Sequence, residues 1–430
     1  MFGKVPEVGR VGEPLIFSIE CYSQHRDKCR DESFFFVRAY GPAILTGTTT
    51  RQRDGTYRVE ILPLDPGMYT VEVVVTFSSP PKLDLFPMKG HAPILYEGYL
   101  VSGFPQSTNI FDHPKEDNVR QCTYTDLSVT AAPHQMNRAR WQTVEKVRDQ
   151  ELSTNLAEEV TLRGYQLSRN SLGILLEYKF NDCQLPSNND LILSDPHQFV
   201  LIGDSTMRIQ KDVLEMWVQK TGVSHEIVFI ELYGGIWRCQ KFGPIVANQL
   251  HRLSQSSTDA NKRIILANSG LHDIHRLCGS EWSQDRSTYL DPTQTALPCA
   301  ELYRIGLKEL VRNVLRTPAA IRIFQTTTAG WPKYGNYGVQ WDPRYGQSLP
   351  LDATTFISLF NSVAIEVIGS SMDIVDGFWI SLARPDNREV DERGKIGPKL
   401  SHPGHEVVHA MVNVWLALAI DRLKHLDHAL

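Results

Sequence analysis

The chain has 430 residues, 42% hydrophobic and 22% charged, with a formal net charge of -5. That length is long for one core and makes two domains the expectation. A charge so mild and scattered gives no electrostatic basis for nucleic acid or anionic lipid as a partner, and no apolar run reaches the roughly 20 residues of a membrane span.

The opening MFGKVPEVGR has no apolar signal core, so a targeting segment, were the protein secreted, is expected outside this sequence. Seven cysteines (Cys21, Cys29, Cys122, Cys183, Cys239, Cys278 and Cys299) show no CxxC pair and no metal-ligand spacing. Cys21/Cys29 and Cys278/Cys299 are the local disulfide candidates, and the odd count leaves at least one thiol unpaired within the chain. There is no N-x-S/T sequon, which leaves the compartment open.

From Val8 to about Val101 the pattern is short and β-like, with Pro and Gly turns between runs such as Phe34-Phe35-Phe36-Val37. Within it, Asp54 to Val75 (DGTYRVEILPLDPGMYTVEVVV) reads as two strands joined by a Pro-Leu-Asp-Pro-Gly corner. Tyr57, Val59 and Ile61 share one face, and Tyr69, Val71 and Val73 repeat the period. The DGTY strand and the P-x-x-x-G-x-Y strand resemble filamin-type immunoglobulin-like repeats. That resemblance implies a β-sandwich over residues 1–103, serving as a spacer or as a module facing a glycan or protein partner. Residues 104–195 lose periodicity, yet Trp141, Leu172 to Phe180 and Cys183 to Pro186 are too apolar for a flexible linker and read as a connector packed on the second domain.

From residue 196 the rhythm becomes strand, helix, strand, helix. Strands are expected at Phe199 to Ile202, Ile227 to Glu231, Arg263 to Ala267, Ile321 to Gln325 and Ile374 to Ile380. Helices are expected near Met207 to Lys220, Ile245 to Gln255, Cys299 to Arg316, Ala353 to Ser370 and Pro403 to Leu426. Such alternation implies a parallel sheet with helices on both faces, and its site lies beyond the carboxyl ends of the strands.

Those ends collect small, polar and titratable residues. Gly203-Asp204-Ser205 follows the first strand, Tyr233-Gly234-Gly235 the second, and Asn268-Ser269-Gly270-Leu271-His272-Asp273 the third. Thr326 to Trp331 follows the fourth, Ser381 to Asp386 the fifth, and Ser401-His402-Pro403 enters the last helix, with Pro403 as its first residue. A nucleophile, an imidazole and oxyanion donors are the parts that acyl transfer requires. Asp204 suits a turn or cap better than catalysis. His272 and His275 flank Asp273 on what reads as a single loop, which also fits an oxyanion or substrate-binding segment, and without a further ligand block no metal is expected, and no cofactor. Glu406 and His409 resemble an acid–base pair but fall in an apolar helix, where His409 reads as structural or surface. Trp331, Tyr334, Tyr337 and Trp341 crowd one loop, suited equally to stacking on a sugar ring or covering a core edge.

GDS, a second-strand Gly, N-x-G-x-H and a late His together resemble the SGNH, or GDSL-type, hydrolase superfamily, whose fold is a flavodoxin-like parallel sheet. Ala139-Arg140-Trp141, Cys183 to Pro186, GDSTMR and NSGLHDI narrow the resemblance to its PC-esterase branch. That branch includes the neurexophilin and PC-esterase domain proteins and the plant trichome-birefringence-like O-acetyltransferases. The resemblance implies an SGNH-like domain over residues 196–430 with Ser205 as nucleophile and His402 as base. Gly235, Asn268 and Gly270 would belong to the oxyanion region, with Arg208 and His272 beside the substrate. It implies an acyl-serine enzyme for glycans, taking a small acyl donor and a carbohydrate acceptor, or removing acetyl from an acetylated glycan. A secretory or extracellular setting is implied too. The D-x-x-H pattern is broken, because Lys399 stands where the Asp would be. Asp386 or Asp391, or a backbone carbonyl, would then orient His402; without such a group the domain would bind without chemistry.

Overall fold

The computed structural model describes residues 2–20, 22, 33–77, 96–111, 120–129, 139–143, 176–186, 191–232, 243–256, 259–278, 298–331, 354–385 and 402–427. The N-terminal part is built from β1 (Phe2–Gly3), β2 (Val8–Arg10), β3 (Leu15–Glu20), β4 (Phe34–Tyr40), β5 (Ala43–Arg51), β6 (Tyr57–Ile61), β7 (Gly67–Phe77), β8 (Tyr96–Leu100) and β9 (Gln106–Phe111). Strand β5 joins two ladders: its first half pairs with β4 and its second half with β6. Pairing is antiparallel apart from β2 with β9. Period-2 alternation places Leu15, Phe17, Ile19, Tyr57, Val59, Ile61, Tyr69, Val71 and Val73 in one buried cluster.

The Pro-Leu-Asp-Pro-Gly corner lies between β6 and β7, and the connector grips it. Arg140 donates to the Asp65 carboxylate through Nε and Nη2, Gln142 Nε2 donates to the same group, and Tyr69 Oη donates to the Asp65 carbonyl. Arg140 and Gln142 belong to β10 (Ala139–Thr143), which pairs with β11 (Leu176–Phe180) and, at Trp141 and Ile44, with β5. The N-terminal ladder therefore continues past residue 103, through β9 and into the connector.

The helix α1 (Tyr124–Leu127) precedes β10, and the alternating part comes after β11. Its strands are β12 (Gln198–Gly203), β13 (Glu226–Glu231), β14 (Arg263–Asn268), β15 (Ile321–Gln325) and β16 (Asp373–Val375), parallel throughout and ordered β13-β12-β14-β15-β16. Its helices are α2 (Ser205–Thr221), α3 (Gly243–Ser254), α4 (Leu271–Cys278), α5 (Cys299–Arg316), α6 (Thr354–Ile368), α7 (Gly377–Leu382) and α8 (His405–Asp427). Alternate strand residues face opposite layers. Phe199, Leu201, Ile264 and Leu266 pack with α2 and α8, whereas Val200, Ile202, Ile265 and Ala267 pack with α3 to α6. Strand order reverses on either side of β12, so the crevice of a doubly wound sheet lies where β12 and β14 end.

Helix α8 is apolar on nearly every side, from Val407 through Ile420, because the connector covers the face turned away from the sheet. The α1 helix and β11 pack on α8, and Trp141, Leu176, Cys183, Leu191 and Leu193 belong to the same buried cluster. No helix among the described residues is long and apolar enough to cross a membrane.

Three sequence expectations change. The fifth strand stops at Val375, and the apolar run expected to continue it to Ile380 is helix α7. A run of that length suits either element, and Asp376 decides it by accepting the Trp379 amide as an N-cap. The N-x-G-x-H block is not a loop, because Leu271 to Cys278 is helical. Finally, Pro403 precedes α8 instead of opening it, since the Val408 amide bonds to the Gly404 carbonyl and the helix starts at His405.

A disulfide joins Cys122 to Cys183 beside paired backbone, with the Cys122 amide on the Gln184 carbonyl and the Gln184 amide on the Arg120 carbonyl. Cys299 is disulfide-bonded as well. The Cys122–Cys183 pairing spans 61 residues, which is why no local spacing announced it. Replacing both Cys122 and Cys183 by Ala is expected to lower stability by about 4 kcal/mol on loop-closure grounds, as read from urea unfolding curves.

Candidate functional site

Ser205 owes its place to the two residues before it. Gly203 ends β12 where a Cβ would come within 2.7 Å of Met207 Cβ, so the chain can turn sharply into α2. Asp204 is the N-cap, with Oδ1 accepting the Thr206 amide at 2.9 Å and the Thr206 hydroxyl at 2.7 Å. Ser205 is then the first helical residue, and its own amide belongs to the turn whose N–H groups have no acceptor within the helix. That end also carries the positive pole of the helix dipole.

The imidazole of His402 reaches this serine across the fold. Ser205 Oγ lies 2.7 Å from His402 Nε2, and both residues are buried, at 7% and 5% exposure. The distance suits a hydroxyl donating to a neutral imidazole, the arrangement of a nucleophile with its base. Asp386, Asp391 and Lys399 lie outside the described residues. So does Gly235.

At the end of β14, Asn268 is 1% exposed and donates from Nδ2 to the Gln325 carbonyl at 2.8 Å, which commits one of its two amide hydrogens. Gly270 has φ +146°, and a Cβ there would meet Thr327 Oγ1 at 2.4 Å, so the neighbouring strand end can close against it. The carbonyl of Ser269 between them accepts from Tyr303 Oη and Thr327 Oγ1, and its hydroxyl donates to Asp273. Asn268 and Gly270 thus sit on a backbone held from two sides. His272 is half-buried in the first turn of α4. Arg208 is half-exposed and donates to Glu231, the last residue of β13, at 3.1 Å. An exposed pair of this kind is worth about 1 kcal/mol or less.

Against this geometry the comparisons are sparse. No family model matches the chain, and no curated protein matches it. Among solved structures, the chain is similar to the Lin-41 filamin domain, at 14% identity over 25% of this chain and 91% of that one, with a TM-score of 0.18. It is also similar to a protein assigned as an arylesterase from Agrobacterium tumefaciens, at 13% identity over 52% of this chain and 98% of that one, with a TM-score of 0.30. A third, assigned as a glycoside hydrolase from Bacteroides vulgatus, gives 7% identity over 80% and 58%, with a TM-score of 0.18. At these scores the comparisons add no weight to any function, and the geometry stands on its own.

Two further features bear on the site. The Glu406–His409 pair lies in His405-Glu406-Val407-Val408-His409, which has the H-E-x-x-H spacing of zinc peptidases, whose Glu serves as base. Here Glu406 accepts from Arg384, and the two imidazoles bond to each other, Nε2 to Nε2, at 2.8 Å. Burial holds His409 well below the ordinary histidine pKa, with His405 and Lys220 acting in the same direction. Among the described residues no three metal-binding side chains converge.

The second feature is Asp376, at the end of β16. Its Oδ1 accepts from Thr326 Oγ1 at 2.9 Å and the Trp379 amide at 3.1 Å, yet desolvation outweighs these bonds and raises its pKa to about 6. The folded state therefore holds this proton more tightly than the unfolded chain, and stability falls as pH rises from about 4 to about 6. Asp376→Asn keeps a capping oxygen and cannot ionise. Relative to wild type, the variant is expected to gain up to about 3 kcal/mol between pH 4 and pH 7, measured by urea unfolding at both values.

Proposed function

We propose that this chain is a serine-dependent carbohydrate O-acyl enzyme of the PC-esterase branch of the SGNH hydrolases. An immunoglobulin-like β-sandwich, expected over residues 1–103 and extended by β9, and a connector through residue 195 precede its catalytic domain, residues 196–430. The observation that carries this reading is the 2.7 Å contact between Ser205 Oγ and His402 Nε2 at the carboxyl edge of the parallel sheet. A serine that served only as a turn residue would have no reason to face a buried imidazole from a segment 197 residues away.

The chemistry rests on these positions. His402 Nε2 takes the proton as Ser205 Oγ attacks the acyl carbonyl carbon, and negative charge gathers on the carbonyl oxygen. The Ser205 amide, at the positive end of α2, faces that oxygen, and the Asn268–Gly270 backbone lines the adjacent strand end. Collapse expels the donor's leaving group, which takes the proton from His402 and leaves acyl-Ser205. A second hydroxyl, deprotonated by His402, then attacks the acyl carbon and releases the serine. A sugar hydroxyl at that step makes the enzyme an O-acetyltransferase, the reading favoured by the family resemblance. Water makes it a glycan O-acetyl esterase. Arg208 and His272, in the first turns of α2 and α4, are the residues proposed to bind the substrate.

Incubation with an activated acetyl ester is expected to add one acetyl group to the peptide carrying Ser205, detected by mass spectrometry. Ser205→Ala is expected to abolish the adduct. Turnover of the ester by Ser205→Ala at the wild-type rate would defeat the enzymatic reading.

His402→Ala is expected to slow acylation by about 100- to 10,000-fold, the range of a lost general base, when rates are compared near pH 7.

A further inference from the structure

Arg384 is 1% exposed, at the end of the turn that follows α7. Its guanidinium carbon lies 4.7 Å from the centre of the Trp141 ring, and its Nη2 donates to Glu406 Oε2 at 2.5 Å. Trp141 is itself immobilised: Nε1 donates to the Ile380 carbonyl at 3.0 Å, and the residue pairs with Ile44 and Tyr178 in the β-ladders. The carbonyl of Ala383, next to Arg384, accepts from buried Arg38 of β4. Trp141, on which the guanidinium rests, and Ala383, its chain neighbour, are thus anchored to the β-rich part and to α7.

Glu406 is the second residue of α8, where a carboxylate also suits the helix dipole. Only Pro403 and Gly404 stand between His402 and that helix, and the proline ring fixes one backbone angle. The Gly404 carbonyl is already bonded to the Val408 amide. The placement of the first turn of α8 therefore sets where the imidazole of His402 arrives.

We propose that Arg384 and Glu406 form a clamp that positions His402 against Ser205, an inference that rests on the serine–histidine reading above. Glu406 and Arg384 are positioning residues: they act through the first turn of α8. A buried ion pair is a poor source of stability compared with apolar packing, which leaves geometry as the reason to keep one here. Lysine would not replace Arg384, since it offers neither the planar fork nor a flat face for Trp141.

The test compares Glu406→Ala with Glu406→Gln, which retains an oxygen for Arg384 Nη2. With an activated acetyl ester, Glu406→Ala is expected to slow Ser205 acylation by about 10- to 100-fold, the scale of a small misplacement, with KM changed less than about twofold. Glu406→Gln is expected to recover most of that rate. A second readout needs no activity: modification of His402 by diethylpyrocarbonate, localised by mass spectrometry. His402 is expected to be protected in wild type and Glu406→Gln and exposed to reagent in Glu406→Ala. Should Ser205 of the wild type accept no acyl group, the enzymatic reading fails and this protection pattern alone judges the clamp. Equal acylation and equal protection in wild type and Glu406→Ala would overturn it. If circular dichroism shows Glu406→Ala unfolded, Arg384→Lys is measured in its place against the same expectations.

Discussion

The hydrogen bond between Ser205 Oγ and His402 Nε2 joins two segments that have no local reason to meet. One is the first residue of α2, fixed by the Gly203 turn and the Asp204 cap. The other is a residue just outside α8, whose position depends on how that helix lies across the sheet. The bond can therefore form only if α2 and α8 are registered on the same face of β12 and β14. Phe199, Leu201, Ile264 and Leu266 supply that registration by burying against both helices. Side chains of this size contribute roughly 1.5–3 kcal/mol each when fully buried, far more than one hydroxyl–imidazole contact returns. Packing sets the geometry, and the polar contact exploits it.

That dependence gives the β-rich part and the connector a structural role beside the sheet. Helix α8 is apolar on the face turned away from the strands; α1 and β11 pack on it, and Trp141, Leu176, Leu191 and Leu193 belong to the same buried cluster. The ring of Phe36, in β4, lies 4.4 Å from that of Trp331, in the segment after β15. Arg38, wholly buried, faces Glu72 on one side and the Ala383 carbonyl on the other. Two of the strand-end segments are thus braced by residues at positions 34–40. A detachable spacer would show polar, hydrated surfaces there, and these are closed.

Much of this was legible in the sequence wherever a local rule applied. Alternation in DGTYRVEI and MYTVEVVV marked strands, and the four-residue run Phe199 to Ile202 before GDS marked a buried strand turning into a helix. The parallel sheet came from that rhythm, and with it the edge at which Ser205, Asn268 and His402 sit. What stayed hidden depended on partners distant in sequence. Ile374 to Ile380 is equally apolar as strand or helix, and Asp376 resolves it through contacts with Thr326 and Trp379. Cys122 and Cys183 meet because backbone at Gln121 and Gln184 pairs, which no cysteine spacing records. Arg384 contacts Trp141 and Glu406, residues 243 and 22 positions away, which no local pattern records.

Trp141 links these observations. Its indole N–H holds the carbonyl of Ile380, its face carries Arg384, and its ring packs 5.2 Å from that of Tyr178, in the strand beside it. The flanking Arg140 and Gln142 hold the Asp65 corner of the β-rich part. Three consecutive residues therefore connect that corner, through α7 and Arg384, to the first turn of α8. An aliphatic side chain at position 141 could fill the volume, but it offers neither the donor for Ile380 nor the π face for a guanidinium. The tryptophan supplies both where the β-ladder meets α7 and Arg384.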